Sequence, residues 1–491
     1  MKQIFLASTF FELVCLAAGI DSGVYDTTAA PALLGTGGVA PDPASGSPAD
    51  GSGAGAPARE RILLVSNNAA VLELARPLTS TPGAESLLRR FDRVIDLNAA
   101  VAPAHPSTWK PSANDIPMVE AHLRATWGLG DEPIELILES PQVNPAIALG
   151  RVFETATIRV HADGLMSYGP TRNLIPLTNG QRMSTLHYLP LVPGLEPRLL
   201  AEFGIVAEPM DLGAFRRVVT ELGDATAAEL DAMIAEDAGT EPWAFAVGQY
   251  LAALGLLTED EEIALHIEMI RQAAARGFTR VVFKPHPAAP PTQLEPLFAV
   301  AEEVGVALTV LDVPVLAEVV VDRMRPGLIL GGFSTALATA REVYGVPALA
   351  VGTDTLLKAI TPYQNGNRIP LTIIAEVCDG SAPEQATDRS DLSALVDAVS
   401  YCMAPEVSRD LRTSATAFLE RVFGTPGDKH ARRYFKRRRL TSLSLPGGTT
   451  RITPRRLVRQ TGALAVLAAS RQKRRLTERT KSRQSAAKGR G

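Results

Sequence analysis

The run Val281-Val-Phe-Lys-Pro-His-Pro287 passes from unbroken apolar character to Pro-His-Pro within two residues, and that break constrains the fold more than any other stretch. Branched and aromatic side chains favour strands, whereas proline cannot donate to a central hydrogen-bonded ladder. Residues 280–284 therefore read as a buried parallel strand. Lys284 and His286 stand at its C-terminal end, with Pro285 and Pro287 holding the histidine at the rim. In open α/β sheets that end is where ligands bind. A second stretch repeats the arrangement: Gly327-Leu-Ile-Leu330, then Gly331-Gly332-Phe333, then Ser334 and Thr335 opening a helix. Backbone amides and hydroxyls at a helix N-terminus suit phosphate or carboxylate. A tight turn with Ser334 merely capping its helix fits the same residues.

The rest of the chain continues the pattern. Gln3–Ala7, Arg61–Asn67, Phe91–Leu97 and Ile134–Leu138 read as strands separated by helical stretches, with a helix over Phe10–Ala18. A short strand from Thr157 runs into Asp163-Gly164, which puts Asp163 at a strand end too; a turn aspartate without chemistry has the same signature. After a polar, acidic stretch over 220–241, Trp243–Val247 begins a new series, closed by Gly248-Gln249. Helices over Glu259–Arg276, Pro291–Glu303, Val315–Arg323 and Ala336–Tyr344 alternate with strands at Ala307–Leu311 and Pro347–Val351. Strand–helix alternation of this kind implies doubly wound α/β domains. The expected organisation is an N-terminal Rossmann-like domain over 1–235 and a second over 242–428.

Two segments depart from this pattern. Residues 28–60 are Ala, Gly, Pro and Ser with few large apolar side chains, which marks a flexible insertion unable to bury a core. Residues 431–491 carry 19 Lys or Arg against one acid, so the remainder of the chain is acidic by about 22 charges while the total is −4. Such a block reads as a basic, largely disordered tail. Basic residues with a short apolar patch at Leu464–Ala469 suit an anionic membrane surface; a solvated tail or nonspecific polyanion binding suits them equally, and no specific nucleic-acid partner is expected. Three scattered cysteines, Cys15, Cys378 and Cys402, fit a reducing compartment rather than a disulfide framework. Glu12 interrupts the apolar N-terminus, so a cytoplasmic start is expected rather than an export signal. No Asp-x-Asp triplet occurs and the histidines lack metal-ligand spacing, so no metal and no cofactor are expected.

The two strand-end clusters suggest a division of labour. His286 suits a donor phosphate, because an imidazole can give a proton or hydrogen bond near neutrality. Lys284 would add charge, unless its strand position turns it to the other side of the sheet. Gly332, Ser334 and Thr335 would seat the anion; Gln249 and Glu318 are weaker donor-side candidates, Glu318 for a ribose. On the other domain, Asp163 suits a base for an acceptor hydroxyl, with Gly164 and Ser167 beside it.

These residues together resemble a known family. Asp163-Gly164 with Leu165 and Ser167-Tyr168, Lys284-Pro285-His286-Pro287 and Phe333-Ser334-Thr335, in this order, are similar to motifs of the bacterial sialyltransferases and polysialyltransferases. Gln3–Thr9 and Ile62–Asn68 look like that group's first strands. The resemblance spans about residues 1–425 outside the insertion. It implies a GT-B fold, two doubly wound domains facing across a cleft, and metal-independent, inverting transfer of sialic acid or a related nonulosonic acid. The donor would be CMP-activated and the acceptor a glycan or glycolipid of the cell surface or capsule. Enzymes of this kind are expected on the cytoplasmic side, peripheral to the membrane. The implied roles fall on Asp163 as base, His286 at the donor phosphate, and Ser334 with Thr335 beside it. One departure stands out: the first acid of the family's acid-acid-Gly motif is Ala162 here. A teichoic-acid-type glycerol- or ribitol-phosphate transferase and a non-catalytic GT-B-like binding protein are the competing expectations.

Overall fold

The computed structural model describes residues 1–27, 59–69, 77–228, 230–231, 242–286, 289–290, 293–380, 389–424 and 426–449. Two parallel sheets organise it. The first contains β1 (Lys2–Ala7), β2 (Glu60–Val65), β3 (Arg93–Asp96), β4 (Ile134–Leu138), β5 (Thr157–Ala162), β6 (Met183–Tyr188) and β7 (Val206–Pro209), in the order β3-β2-β1-β4-β5-β6-β7. The second contains β8 (Ala244–Val247), β9 (Arg280–Lys284), β10 (Ala307–Val310), β11 (Leu328–Gly331) and β12 (Ala348–Ala350), in the order β10-β9-β8-β11-β12. Each order reverses once, between β1 and β4 in the first sheet and between β8 and β11 in the second. These reversals open the crevices in which doubly wound sheets hold ligands.

Central strands are apolar because helices cover both faces: β4 and β8 are buried along their whole length. Local chemistry starts the helices where the sequence leads one to expect. Thr258 and Glu261 form a reciprocal capping box ahead of helix Glu259–Ala275, whose first turn holds four acids. Thr9 caps helix Phe10–Asp21 through the Glu12 amide. The helix expected from Pro291 begins at Glu295, and the one expected from Val315 begins at Ala317.

β6 and β7 have no counterpart among the sequence-based expectations. β6, Met-Ser-Thr-Leu-His-Tyr, is polar at half its positions and yet wholly buried. Ser184 satisfies its hydroxyl on the Ile158 carbonyl, and His187 packs edge-on to Tyr25. β7 is an exposed edge strand ending in Pro209, where a missing amide costs little.

The two halves are tied together by charge and packing. Arg198 Nε and Nη2 each donate to an Asp397 carboxylate oxygen at 2.8 Å, joining the first domain to helix Arg389–Met403 of the second. Thr220, within helix Leu212–Ala225, donates to Asp322 at 2.7 Å, so the polar stretch expected as a linker begins inside a helix. The start of the basic segment is also folded. Tyr434, Phe435 and Leu440 are buried, Tyr434 bonds to Glu376, and Arg439 donates to the Cys402 carbonyl at 2.6 Å. Apolar anchors spaced among the arginines make residues 431–449 a strap on the second domain. Residues 450–491, the 28–58 part of the insertion, and Pro287 lie outside the described residues. Among the described residues, no helix is long and apolar enough to cross a membrane.

Candidate active site

The strand ends of both sheets open into one cleft of about 890 Å³ between the domains, and Asp163, Gly164, Ser167, Gln249, Lys284, His286, Glu318, Ser334 and Thr335 all line it. That volume falls in the range of small-molecule sites. On the second domain, β9 ends in Lys284, which is buried and faces the cleft rather than the far side of the sheet. Gly248 donates to the Lys284 carbonyl at 2.9 Å, and a Cβ on Gly248 would stand 3.0 Å from the Phe283 ring. Beyond this close approach, the His286 ring lies 6.2 Å from that of Tyr250, tilted by 37°.

β11 supplies the opposite lip. Gln249 accepts from the Phe333 amide at 2.8 Å. Gly332 sits behind that contact, because a Cβ there would meet the Gln249 carbonyl oxygen at 2.7 Å. Ser334 caps helix Thr335–Tyr344 by accepting from the Ala336 amide at 3.3 Å, so the helix opens towards the cleft. That cap does not exclude an anion there, since one hydroxyl does not satisfy all the amides of a first turn.

The first domain meets this lip directly. A Cβ on Gly164 would lie 3.1 Å from Thr335 Oγ1, so glycine lets the Asp163-Gly164 turn close on the helix N-terminus. Ser167 donates to the Gly164 carbonyl at 2.9 Å, and its own carbonyl accepts the amides of Arg198 and Leu199. Its hydroxyl braces the turn that carries Asp163.

Burial governs the electrostatics. It raises Asp163 to about 6. Glu318 is buried at the start of helix Ala317–Met324, not facing solvent, and is raised to about 7 with Lys284 opposing the shift. Lys284 is lowered by burial against the pull of Glu318 and Asp312, and His286 is lowered by burial and by Lys284. At neutral pH His286 is therefore mainly an uncharged hydrogen-bonding group until an anion arrives.

Two further acids belong to this site and escaped the sequence reading. Glu12, just after β1, is buried, accepts from the Ser8 amide at 2.6 Å, and is raised to about 8 by burial and by Asp163. Glu139, just after β4, lines the cleft beside a hydroxyl bond from Ser140 and is held well above the carboxylate range by burial, Glu12 and Asp163. Three carboxyls on the neighbouring ends of β1, β4 and β5 cannot all ionise together, and Asp163 gives up its proton before Glu12. The strand-end rule that singled out Asp163 applies equally to Glu139. Glu12 looked only like an interruption of an apolar run.

Comparison with known proteins decides the family. The alpha-2,8-polysialyltransferase family model matches residues 55–353, more than half of the chain. The chain belongs to the alpha-2,8-polysialyltransferase family. It is accordingly a glycosyltransferase, and its two sheets facing across a cleft are the GT-B arrangement. Among solved structures it is similar to a sialyltransferase GT-B domain from Photobacterium damselae (12% identity, 76% of this chain and 96% of that one, TM-score 0.37). It is also similar to MurG from Acinetobacter baumannii (10% identity, 84% and 94%, TM-score 0.35) and to a UDP-GlcNAc 2-epimerase from Methanocaldococcus jannaschii (11% identity, 82% and 100%, TM-score 0.39). Among curated proteins, no sequence matches the chain.

Proposed function

We propose that this glycosyltransferase transfers sialic acid or a related nonulosonic acid from a CMP-activated donor to a glycan or glycolipid acceptor. The observation that carries the reading is the apposition of Asp163-Gly164 on one domain with Thr335 on the other, with His286 and Lys284 in the same cleft. The donor phosphate sits against the amides of Ser334, Thr335 and Ala336, with Lys284 supplying charge and His286 a hydrogen bond. Glu318 takes the ribose, and Gln249 and Gly332 hold the lip. Asp163 accepts the proton of the acceptor hydroxyl as its oxygen bonds to the anomeric carbon. The bond from that carbon to the phosphate oxygen breaks on the opposite side, the configuration inverts, and CMP leaves with the electron pair. A carboxylate raised towards neutrality is a better proton acceptor than an ordinary aspartate and is still ionised at pH 7. Ala162 leaves Asp163 as the acid of the family motif, so the role rests on that residue.

Thermal-shift measurements with CMP, CDP and UDP test the donor: selective stabilisation by CMP is expected, and selective stabilisation by CDP would point to a polyol-phosphate donor instead. Transfer lost in both Asp163→Ala and His286→Ala is expected; full activity in both would overturn the assignment. Attachment to anionic membranes is proposed for the basic residues beyond 449, and truncation after Thr449 should abolish sedimentation with anionic liposomes.

A further inference from the structure

One cation on the first-domain wall of the cleft has no part in the proposed transfer. Arg172 lines the cleft with Glu139, Asp163 and Met166, and Asn367 and Pro370 line it from the second domain. The backbone around it is fixed on both sides. Thr171 is buried and donates to Glu202 at 3.0 Å, and the amides of Arg172 and Asn173 donate to Gln142 Oε1 at 2.8 and 3.2 Å. The guanidinium itself reaches the other domain: a Cβ on Gly366 would overlap its Cζ and Nη1 and stand 2.8 Å from Nε. Glycine at that turn leaves the room the arginine occupies. Among the described residues no carboxylate pairs with it, and its Nη2 lies 3.8 Å from the Met166 sulfur. Other arginines that join distant parts of the fold do have acids: Arg159 bonds Glu135 at 2.8 Å, Arg198 bonds Asp397 and Arg323 bonds Asp231. Burial lowers Arg172 against the pull of Glu139, yet a guanidinium keeps its charge at neutral pH. A guanidinium held in a binding cleft without an acid is free to take an anion from a ligand, and its planar fork matches a carboxylate.

We infer, on the basis of the proposed donor class, that Arg172 binds a substrate carboxylate, the acid group that separates a nonulosonic acid from a neutral sugar. The phosphate has its proposed seat on the second domain, which leaves the first-domain cation for the other anionic group of such a substrate. That carboxylate is either the donor's own, beside its anomeric carbon, or one on an acceptor that ends in the same kind of acid. Contact with Gly366 gives the site a part from each domain, so the fork is held in place before substrate arrives and little ordering is left to be done on binding.

Two ratios measured on the full chain provide the test. The first compares kcat/KM for a glycoside ending in sialic acid with that for its carboxyl methyl ester. The second compares KM for CMP-sialic acid with the inhibition constant of CMP, which lacks the carboxylate. Arg172→Gln should shift one of them about tenfold or more, the size expected for a charge-assisted pair. Loss of the preference for the free acid places the acceptor's carboxylate at Arg172; a rise in the second ratio places the donor's there. Arg172→Lys, with the charge but not the fork, should recover part of the shift. Gly366→Ala, whose methyl displaces the guanidinium, should move the same ratio although the arginine remains. Both ratios unchanged in Arg172→Gln overturn the assignment, and a lower melting temperature alongside them would make Arg172 only a tie between the domains. A wild type that releases no CMP from CMP-sialic acid refutes the donor reading and this site with it, whereas unchanged ratios in an active enzyme refute the site alone.

Discussion

If Asp163 takes the acceptor's proton, the pH dependence of kcat/KM must carry its titration. Burial raises this carboxyl to about 6, whereas an ordinary aspartate titrates near ~3.9. Between pH 5 and pH 7 the ionised fraction of such a group climbs from about 9% to about 91%, so kcat/KM should rise about tenfold. An ordinary aspartate is already more than about 90% ionised at pH 5 and would change the rate by less than about 10% over the same interval. His286 acts as an uncharged hydrogen-bond donor in the free enzyme, so no descending limb should follow between pH 7 and 8. Asp163→Asn should abolish the rise and lower kcat/KM by about 10²–10⁴-fold. It should leave CMP stabilisation intact, because Asp163 lies on the wall opposite the proposed phosphate seat. Initial rates of CMP release at low donor concentration, in buffers of constant ionic strength, measure this. A flat profile from pH 5 to 7, or an Asp163→Asn enzyme with wild-type rates, would refute the assignment of Asp163 as base.

Other perturbations follow from the same geometry. Gly332→Ala places a methyl 2.7 Å from Gln249 Oε1 and breaks its bond to the Phe333 amide. It should cost about 1–2 kcal/mol in thermal unfolding and weaken CMP binding, whereas Gly331→Ala, whose nearest neighbour is 3.5 Å away, should be tolerated. Arg198→Ala leaves the half-buried Asp397 without its bidentate partner and should lower urea stability by about 1–2 kcal/mol. Arg198→Lys, which cannot reproduce the fork, should recover only part of it. His266 is buried against Phe283 and depressed to about 4. Its folded value lies below its unfolded value of ~6.5, so its contribution is complete above pH 6.5 and is lost as pH falls towards 4. His266→Phe should therefore shrink the stability difference between pH 7 and pH 5 by about 2 kcal/mol in denaturant titrations, and an unchanged difference would exclude a neutral buried histidine there.

Periodicity and proline placement alone were enough to recover the doubly wound pattern, because a strand covered on both faces must be apolar throughout and proline must stop it. The same logic placed Lys284, His286, Ser334 and Asp163 at strand ends, where a parallel sheet presents its ligands. Sequence could not reveal β6, whose serine, threonine and histidine become strand-like only when helices and Tyr25 cover them. It also took the residues after Ala431 for tail, since the burial of Tyr434 and Leu440 depends on partners far away in the chain. Which strand ends share a cleft is likewise a tertiary matter. Glu12, Glu139 and Asp163 come from points scattered over 150 residues, and their mutual repulsion exists only because β1, β4 and β5 lie side by side. Sequence determined the chemistry available at each strand end, through residue type and position. Tertiary structure alone decided that Gly164 would meet Thr335 across the cleft, because burial and proximity, which set proton affinity, are properties of the packed molecule.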